Sequence, residues 1–196
     1  MAIQDRRERD RAARRQLIIS TARRLAESEG WDAVTTRRLS TEIEYSQPVL
    51  YKHFAGMDQI ADAIAIDGFD ELAEAVRAAR SGADTPRGAL LSVARAYLDF
   101  ARDHPAVYDA MFTRTTALRF AAEDTPAALK TSFAELRQAV TLVADDQDAD
   151  GLTEVFFAAL HGLVTLSRAG RLRPDHESER LFLLVERFTD GRKALQ

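Results

Sequence analysis

Apolar residues recur at intervals of three and four along nearly the whole chain, with no runs of period-two alternation bounded by turns. The pattern predicts helices and no strands. Leu17, Ile18, Ala22, Leu25 and Ala26 form the first stripe and predict a helix over about Arg9–Ser28. Gly30 follows where a helix ends on a left-handed residue. Trp31 and Val34 fill the connection as apolar core residues. Thr35 or Thr36 can cap a short helix over Arg37–Ile43, with Leu39 and Ile43 turned inward. After a tight break at Glu44–Tyr45, Ser46 can cap a third helix. Pro48 falls in its first turn, where a missing N–H costs little, and Leu50 and Phe54 give the buried side. Gly56 and Asp58 open a long fourth helix to about Arg80. Further helices are expected over 86–103, 105–122, 126–144, 148–169 and 176–190, their junctions marked by Pro, Gly or acidic clusters. The expected fold class is all-α with about nine helices: a small tri-helical module over 1–56, then a larger helical bundle over 57–196.

Composition narrows the chemistry. The chain has 196 residues, 46% of them hydrophobic, and no cysteine. Disulfides, thiol nucleophiles and cysteine-based zinc or iron–sulfur sites are excluded. Met1–Arg15 is charged and lacks an apolar run, so a secretory signal is not expected. No stretch approaches the ~20 consecutive apolar residues of a membrane span, so the expected location is the cytoplasm, without a membrane partner. His53, His104, His161 and His176 lack metal-ligand spacing. The run Asp146–Gly151 begins like a calcium loop, but Phe157 occupies the position that needs a bidentate Glu. No nucleophile elbow or phosphate-cradling glycine loop occurs. No metal, cofactor or catalytic residue is expected, and the chain reads as a non-enzyme.

Net charge is −4, but its distribution is uneven. Residues 1–24 carry eight Arg against three acids. Such asymmetry fits an electropositive end that meets phosphates; a merely solvated arm is the alternative. A helix entering the ~12 Å major groove needs polar or small exposed side chains on a compact core. The stretch Thr36–Phe54 meets both requirements as a helix-turn-helix. Gln47 can present its amide to a base edge, adenine being its best bidentate partner, and Val49 can touch a thymine methyl. Thr36, Tyr51, Lys52 and His53 can hold phosphate oxygens, with Ser46 and its neighbouring N–H groups adding to them. Arg37, at the start of the second helix, joins this candidate set. The partner implied is double-stranded DNA.

The runs Gly30-Trp-Asp-Ala-Val-Thr-Thr-Arg-Arg-Leu39 and Ser46-Gln-Pro-Val-Leu-Tyr-Lys-His-Phe54 resemble the signature of TetR-family repressors. The resemblance implies a homodimeric transcriptional regulator with a DNA-binding domain over 1–56 and an effector-binding and dimerisation domain over 57–196. It places Thr36, Gln47, Pro48, Val49, Tyr51, Lys52 and His53 at positions that commonly meet operator DNA. Two departures stand out. Glu44 occupies the turn position where the family usually has Gly, which either strains the turn or means that no positive φ is needed there. Met57 stands where Lys usually opens the fourth helix.

In the second half, Phe157-Ala-Ala-Leu-His-Gly-Leu-Val-Thr-Leu-Ser-Arg-Ala-Gly-Arg-Leu172 is similar to the regulatory-domain motif called WHG, with Phe157 in place of its Trp. Tyr97, Phe100, Tyr108, Met111, Phe112 and Phe133 are candidates to line an effector cavity, or are simply core. His161 is either a hydrogen-bonded core residue or an effector contact. The last two helices look apolar on more than one side. Leu152, Val155, Phe156, Ala159, Leu163 and Leu166, with Leu181, Phe182, Leu184, Val185 and Phe188, are the candidate dimer interface. The expected function is a regulator, in the sense of a repressor, released from a pseudo-palindromic operator by an unknown small-molecule effector. The alternatives are a helical ligand-binding protein without DNA binding and a small all-α enzyme.

Overall fold

The computed structural model describes residues 2–115, 117–120, 122–144 and 148–189. Among these, nine α-helices and one 3-10 turn (Trp31–Ala33) form: α1 (Ala2–Glu29), α2 (Thr36–Glu42), α3 (Gln47–Tyr51), α4 (Met57–Ser81), α5 (Pro86–Asp103), α6 (Pro105–Phe112), α7 (Ala127–Thr141), α8 (Ala149–Arg168) and α9 (Glu177–Thr189). The all-α expectation holds. The helices group into two compact units. One takes residues 1–68 and 104–124, the other 69–103 and 125–196, so α4 contributes to both.

In the first unit, α1 buries Ile18, Ile19, Ala22 and Leu25; Leu39 and Ile43 at the α2 end, Leu50 of α3, Phe54, and Ile60 and Ile64 of α4 are buried as well. Gly30 ends α1 with φ 84° and ψ 165°. This is not the left-handed helical conformation expected from the sequence but a region that only Gly enters readily. The helix α6 joins the same unit through α1. Its first residue, Pro105, has no N–H, and the next two amides donate to the Glu27 carboxylate: Ala106 N–H at 3.0 Å and Val107 N–H at 3.1 Å. Glu27 thus caps α6 from another helix, placing negative charge at its positive end. Trp31 is half-buried rather than core, because its ring N–H reaches out to the Ala106 carbonyl at 3.0 Å while the Arg114 guanidinium covers its face at 4.7 Å. At Gly68 a Cβ would overlap Val107 and lie 2.8 Å from Met111 Sδ, so a side chain there would force these two residues of α6 to shift.

In the second unit, Tyr97 and Phe100 of α5, Leu136 and Val140 of α7, Phe156 and Leu160 of α8, and Leu181 and Val185 of α9 make the core. Glu135 is buried at its edge and accepts from Arg77 and Arg80, each at 2.9 Å. Burial pushes this carboxyl up, but the two guanidiniums outweigh it and hold the group below the usual range. Helix α8 is the one described helix long and apolar enough to cross a membrane by length and composition. Its Thr153, Phe156, Leu160 and Val164 face is core, and 22% of the apolar window is buried.

Two helix boundaries differ from the sequence reading. The α1 helix begins at Ala2, two turns before Arg9. Helix α6 stops at Phe112 instead of running to Ala122; the following Thr113 and Thr115 are β-branched and weak helix formers. Asp148 caps α8 through a 3.0 Å bond from Asp150 N–H; Asp146 and Gln147 of the calcium-like run lie outside the described residues.

Candidate nucleic-acid interface

Thr35, rather than Thr36, caps α2: its hydroxyl accepts from Arg38 N–H at 3.1 Å. That leaves Thr36 half-buried and Arg37 exposed on the first turn. The end of α2 explains the turn. Ile43 N–H bonds to the Leu39 carbonyl, Tyr45 N–H reaches back to the Ser40 carbonyl at 3.0 Å, and Glu44 between them has φ 57°. This 6→1 bond over a left-handed residue is the Schellman arrangement, whose left-handed position favours Gly. The turn therefore does need positive φ, and Glu44 carries the strain.

The strain gives a prediction. A non-Gly residue in this conformation costs roughly 1–2 kcal/mol, of which the unfolded-chain entropy of Gly returns about 0.5–1 kcal/mol. Glu44→Gly should raise the stability of the first unit by about 0.5–1 kcal/mol. An unchanged or lower thermal midpoint would show that Glu44 is not strained.

Ser46 precedes α3 but its hydroxyl makes no capping bond, contrary to the expectation for that residue. Pro48 and the backbone carry the start of the helix: Val49 N–H donates to the Ser46 carbonyl at 2.9 Å. Leu50 and Phe54 anchor the short helix in the core, 1% and 4% exposed. Around them Ser46, Gln47, Pro48, Tyr51 and Lys52 are exposed, and Val49 and His53 are half-buried. All of the candidate set, from the first turn of α2 to the end of α3, is thus exposed or half-buried in the first unit. Arg24 and Arg38 brace α2 from behind by sharing Glu42, at 2.7 and 3.1 Å, and Arg38 also pairs with Glu29 at 3.0 Å. The hydrogen bond from Arg24 holds the Glu42 carboxyl below its usual range.

The sequence-based expectation is an electropositive N-terminal end, without saying which of its arginines come near α3. The N-terminal turns of α1 bring Arg7, Asp10, Arg11 and Arg14 beside Lys52 and His53, and the six residues line a surface cleft of about 440 Å³. Arg15 lies 4.8 Å above the Phe54 ring. Burial depresses the His53 pKa, and Arg11, Arg14, Arg15 and Lys52 add to the effect. The Nδ1 atom of His53 is buried without a hydrogen-bond partner. The signal was available: Arg7, Arg11 and Arg14 continue the spacing that buries Ile18 and Leu25 on the same helix.

The effector candidates are drawn from both units. Tyr108, Met111 and Phe112 belong to the first unit, and Tyr97, Phe100, Phe133 and His161 to the second. Tyr97, Phe100, Tyr108 and Met111 are core; Phe112 and Phe133 are half-buried. The Tyr97 and Phe157 rings meet edge-on at 6.3 Å, and His161 lies 6.0 Å from Phe157 with its pKa lowered by burial.

The candidate dimer surface needs correction in three places. Phe156, Leu181 and Val185 are buried within their own unit, so they hold the subunit together and present nothing to a partner. The exposed apolar side of α8 carries Val155 (59% exposed) and Leu166, with Leu152, Ala159 and Leu163 half-buried. On α9, Phe182 is 48% exposed and Leu184 and Phe188 are half-buried. Leu183, 57% exposed, is a further exposed apolar residue of α9 that the candidate set does not include.

Residues 18–64 match the family model described as bacterial regulatory proteins, tetR family, and residues 90–187 match the tetracyclin repressor-like C-terminal domain. An HTH-type transcriptional regulator of Mycobacterium tuberculosis, Rv0681, is 30% identical over 189 residues, which is 90% of this chain and 80% of that one. A solved structure of a protein of unknown function from Rhodococcus sp. RHA1 superposes with TM-score 0.76 at 26% identity, covering 90% of this chain and 94% of the other. The TetR family transcriptional regulator PfmR from Thermus thermophilus shares the fold with TM-score 0.60 at 16% identity, over 89% of this chain and 97% of that one.

Proposed function

The chain belongs to the TetR family of bacterial regulatory proteins, and from that premise we propose that this DNA-binding transcriptional regulator acts as a homodimeric repressor, released from its operator by a small-molecule effector. One observation carries the reading: α3 exposes Gln47, Pro48, Tyr51 and Lys52 around a fully buried Leu50. A short helix held by one core residue, with its polar face free, is what insertion into a major groove requires. Gln47 and Val49 read base edges. Thr36, Arg37, Tyr51, Lys52 and His53 hold phosphates and fix the register.

The exposed apolar faces of α8 and α9 support the dimer. Val155, Ala159, Leu163 and Leu166 recur along one side of α8, flanking its core side. A two-fold partner presenting the same strip would cover both copies. Two α3 helices then occupy successive major grooves of a pseudo-palindromic operator, with half-site centres about 34–36 Å apart. Residues 57–196 take the effector and dimer roles. Helix α4 belongs to both units, so an effector that prefers one position of α4 shifts the population that can bind DNA.

Salt-dependent binding tests the reading. Lys52→Ala should weaken binding about equally on all sequences and flatten the slope of log K against log salt by about 1 per subunit. Tyr51→Ala should weaken all sequences alike as well. A wild-type protein with no salt-sensitive retention on duplex DNA would favour a helical ligand-binding protein instead.

A further inference from the structure

We infer that the N-terminal turns of α1 form a second seat for DNA, in which Arg7, Arg11 and Arg14, together with Lys52 and His53, grip the sugar–phosphate backbone alongside the segment that α3 reads. This rests on the reading that α3 enters the major groove. It adds a site on an element that the candidate contact set does not include.

The register of α1 comes first. Its buried face runs through Ile18, Ala22 and Leu25. Counting back from Ile18 by four, three and four residues gives Arg14, Arg11 and Arg7. The face that packs on the helix-turn-helix core thus continues past it as an arginine row. The helix from Gln4 to Leu17 is exposed throughout. At 1.5 Å per residue, Arg7 lies about 16 Å beyond Ile18 along the axis. No core is buried by these turns, and their residues are nearly all charged. Their position beside α3 therefore calls for a partner outside the subunit.

The second observation is the cleft of about 440 Å³ between this row and the end of α3. Among the described residues, Arg24 and Arg38 are tied to carboxylates, whereas Arg7, Arg11 and Arg14 hold none. The cleft therefore concentrates Arg7, Arg11, Arg14 and Lys52 against one acid, Asp10. Such a cluster is self-repelling in the free protein, and a polyanion relieves it. Its field is felt by His53, whose protonated form Arg11, Arg14, Arg15 and Lys52 disfavour.

Geometry selects a strand of duplex DNA over a small anion. Arg7 to Arg14 spans about 10 Å of helix, the axial rise of about three nucleotides at 3.4 Å per strand step. The same cleft contains Lys52 of the interface itself. A backbone held by Lys52 passes directly under the arginine row. Asp10 is the one unfavourable group in the cleft, and its removal should tighten binding.

The test uses the full chain and a duplex enriched from random sequence by the wild-type protein. The triple variant R7Q/R11Q/R14Q keeps good helix formers, and circular dichroism checks that the fold is retained. Its affinity should fall at least tenfold near 150 mM salt, and the salt slope should flatten by about 2–3 per subunit. The base preference recovered by selection should stay the same. Asp10→Asn should bind more tightly than wild type. A folded triple variant with wild-type affinity and slope would overturn the inference, while a changed base preference in Gln47→Ala, which lies outside the cleft, would leave the reading of α3 standing. Failure of the wild type to enrich any duplex would instead overturn the reading on which the inference rests.

Discussion

Phe156→Ala should destabilise the second unit by about 3–5 kcal/mol. The side chain is fully buried, and its ring meets Phe188 edge-on at 5.1 Å. Truncation removes the transfer free energy of the ring and leaves a cavity in the close-packed core of the second unit. The adjacent residue provides the control. Val155 is 59% exposed on the other side of α8. Val155→Asp should leave the helical content of the isolated subunit intact and shift sedimentation toward monomer. Chemical denaturation at several protein concentrations separates the two effects. If Phe156→Ala lost only dimer, or Val155→Asp unfolded the subunit, the assignment of the α8 faces would be reversed.

Leu50→Ala should cost about 2–5 kcal/mol and abolish DNA binding through loss of the first unit's structure. Leu50 is the buried anchor of α3, and with Phe54 it fixes the direction in which the neighbouring side chains emerge. Tyr51 beside it is 53% exposed, and Tyr51→Ala should leave the midpoint of unfolding within about 0.5 kcal/mol of wild type. Two adjacent positions then give opposite results: one loses the fold and binding together, the other loses binding alone. Equal destabilisation by both would mean that α3 is packed on two sides and has no face free for DNA.

These contrasts mark where the sequence was legible. The core of the helix-turn-helix was, because Leu39, Ile43, Leu50 and Phe54 alternate with charged and small residues at helical spacing, and all four are buried. Helix α5 matched its expected limits of Pro86 and Asp103, where the proline and the Asp103–His104–Pro105 break leave little freedom. The first turns of α1 were hidden. Residues 4–15 are nearly all polar or alanine, so no apolar stripe announces a helix there. Their helicity follows from the propensity of Ala, Arg, Glu and Gln rather than from burial.

Two other features lie beyond what local pattern records. Periodicity shows that α8 is apolar on two sides, but only packing shows that Phe156 faces the core and Val155 does not. Aromatic spacing nominated effector contacts that the fold distributes between two units, because residues 104–124 return to the first unit after α5 has entered the second. Local patterns carry no record of such a return. The Glu27 cap on α6 was equally invisible, since its partners lie 79 and 80 residues away.

The central claim, that α3 reads DNA sequence, is tested most directly by selecting duplexes from a random pool with wild-type protein and with Gln47→Ala in parallel. Wild type should enrich an inverted repeat with half-site centres about 34–36 Å apart. Gln47→Ala should recover the same repeat with the preference lost at one base pair in each half-site. Identical preferences from both proteins would contradict the base-reading role of Gln47, and no enrichment by wild type would contradict the account as a whole.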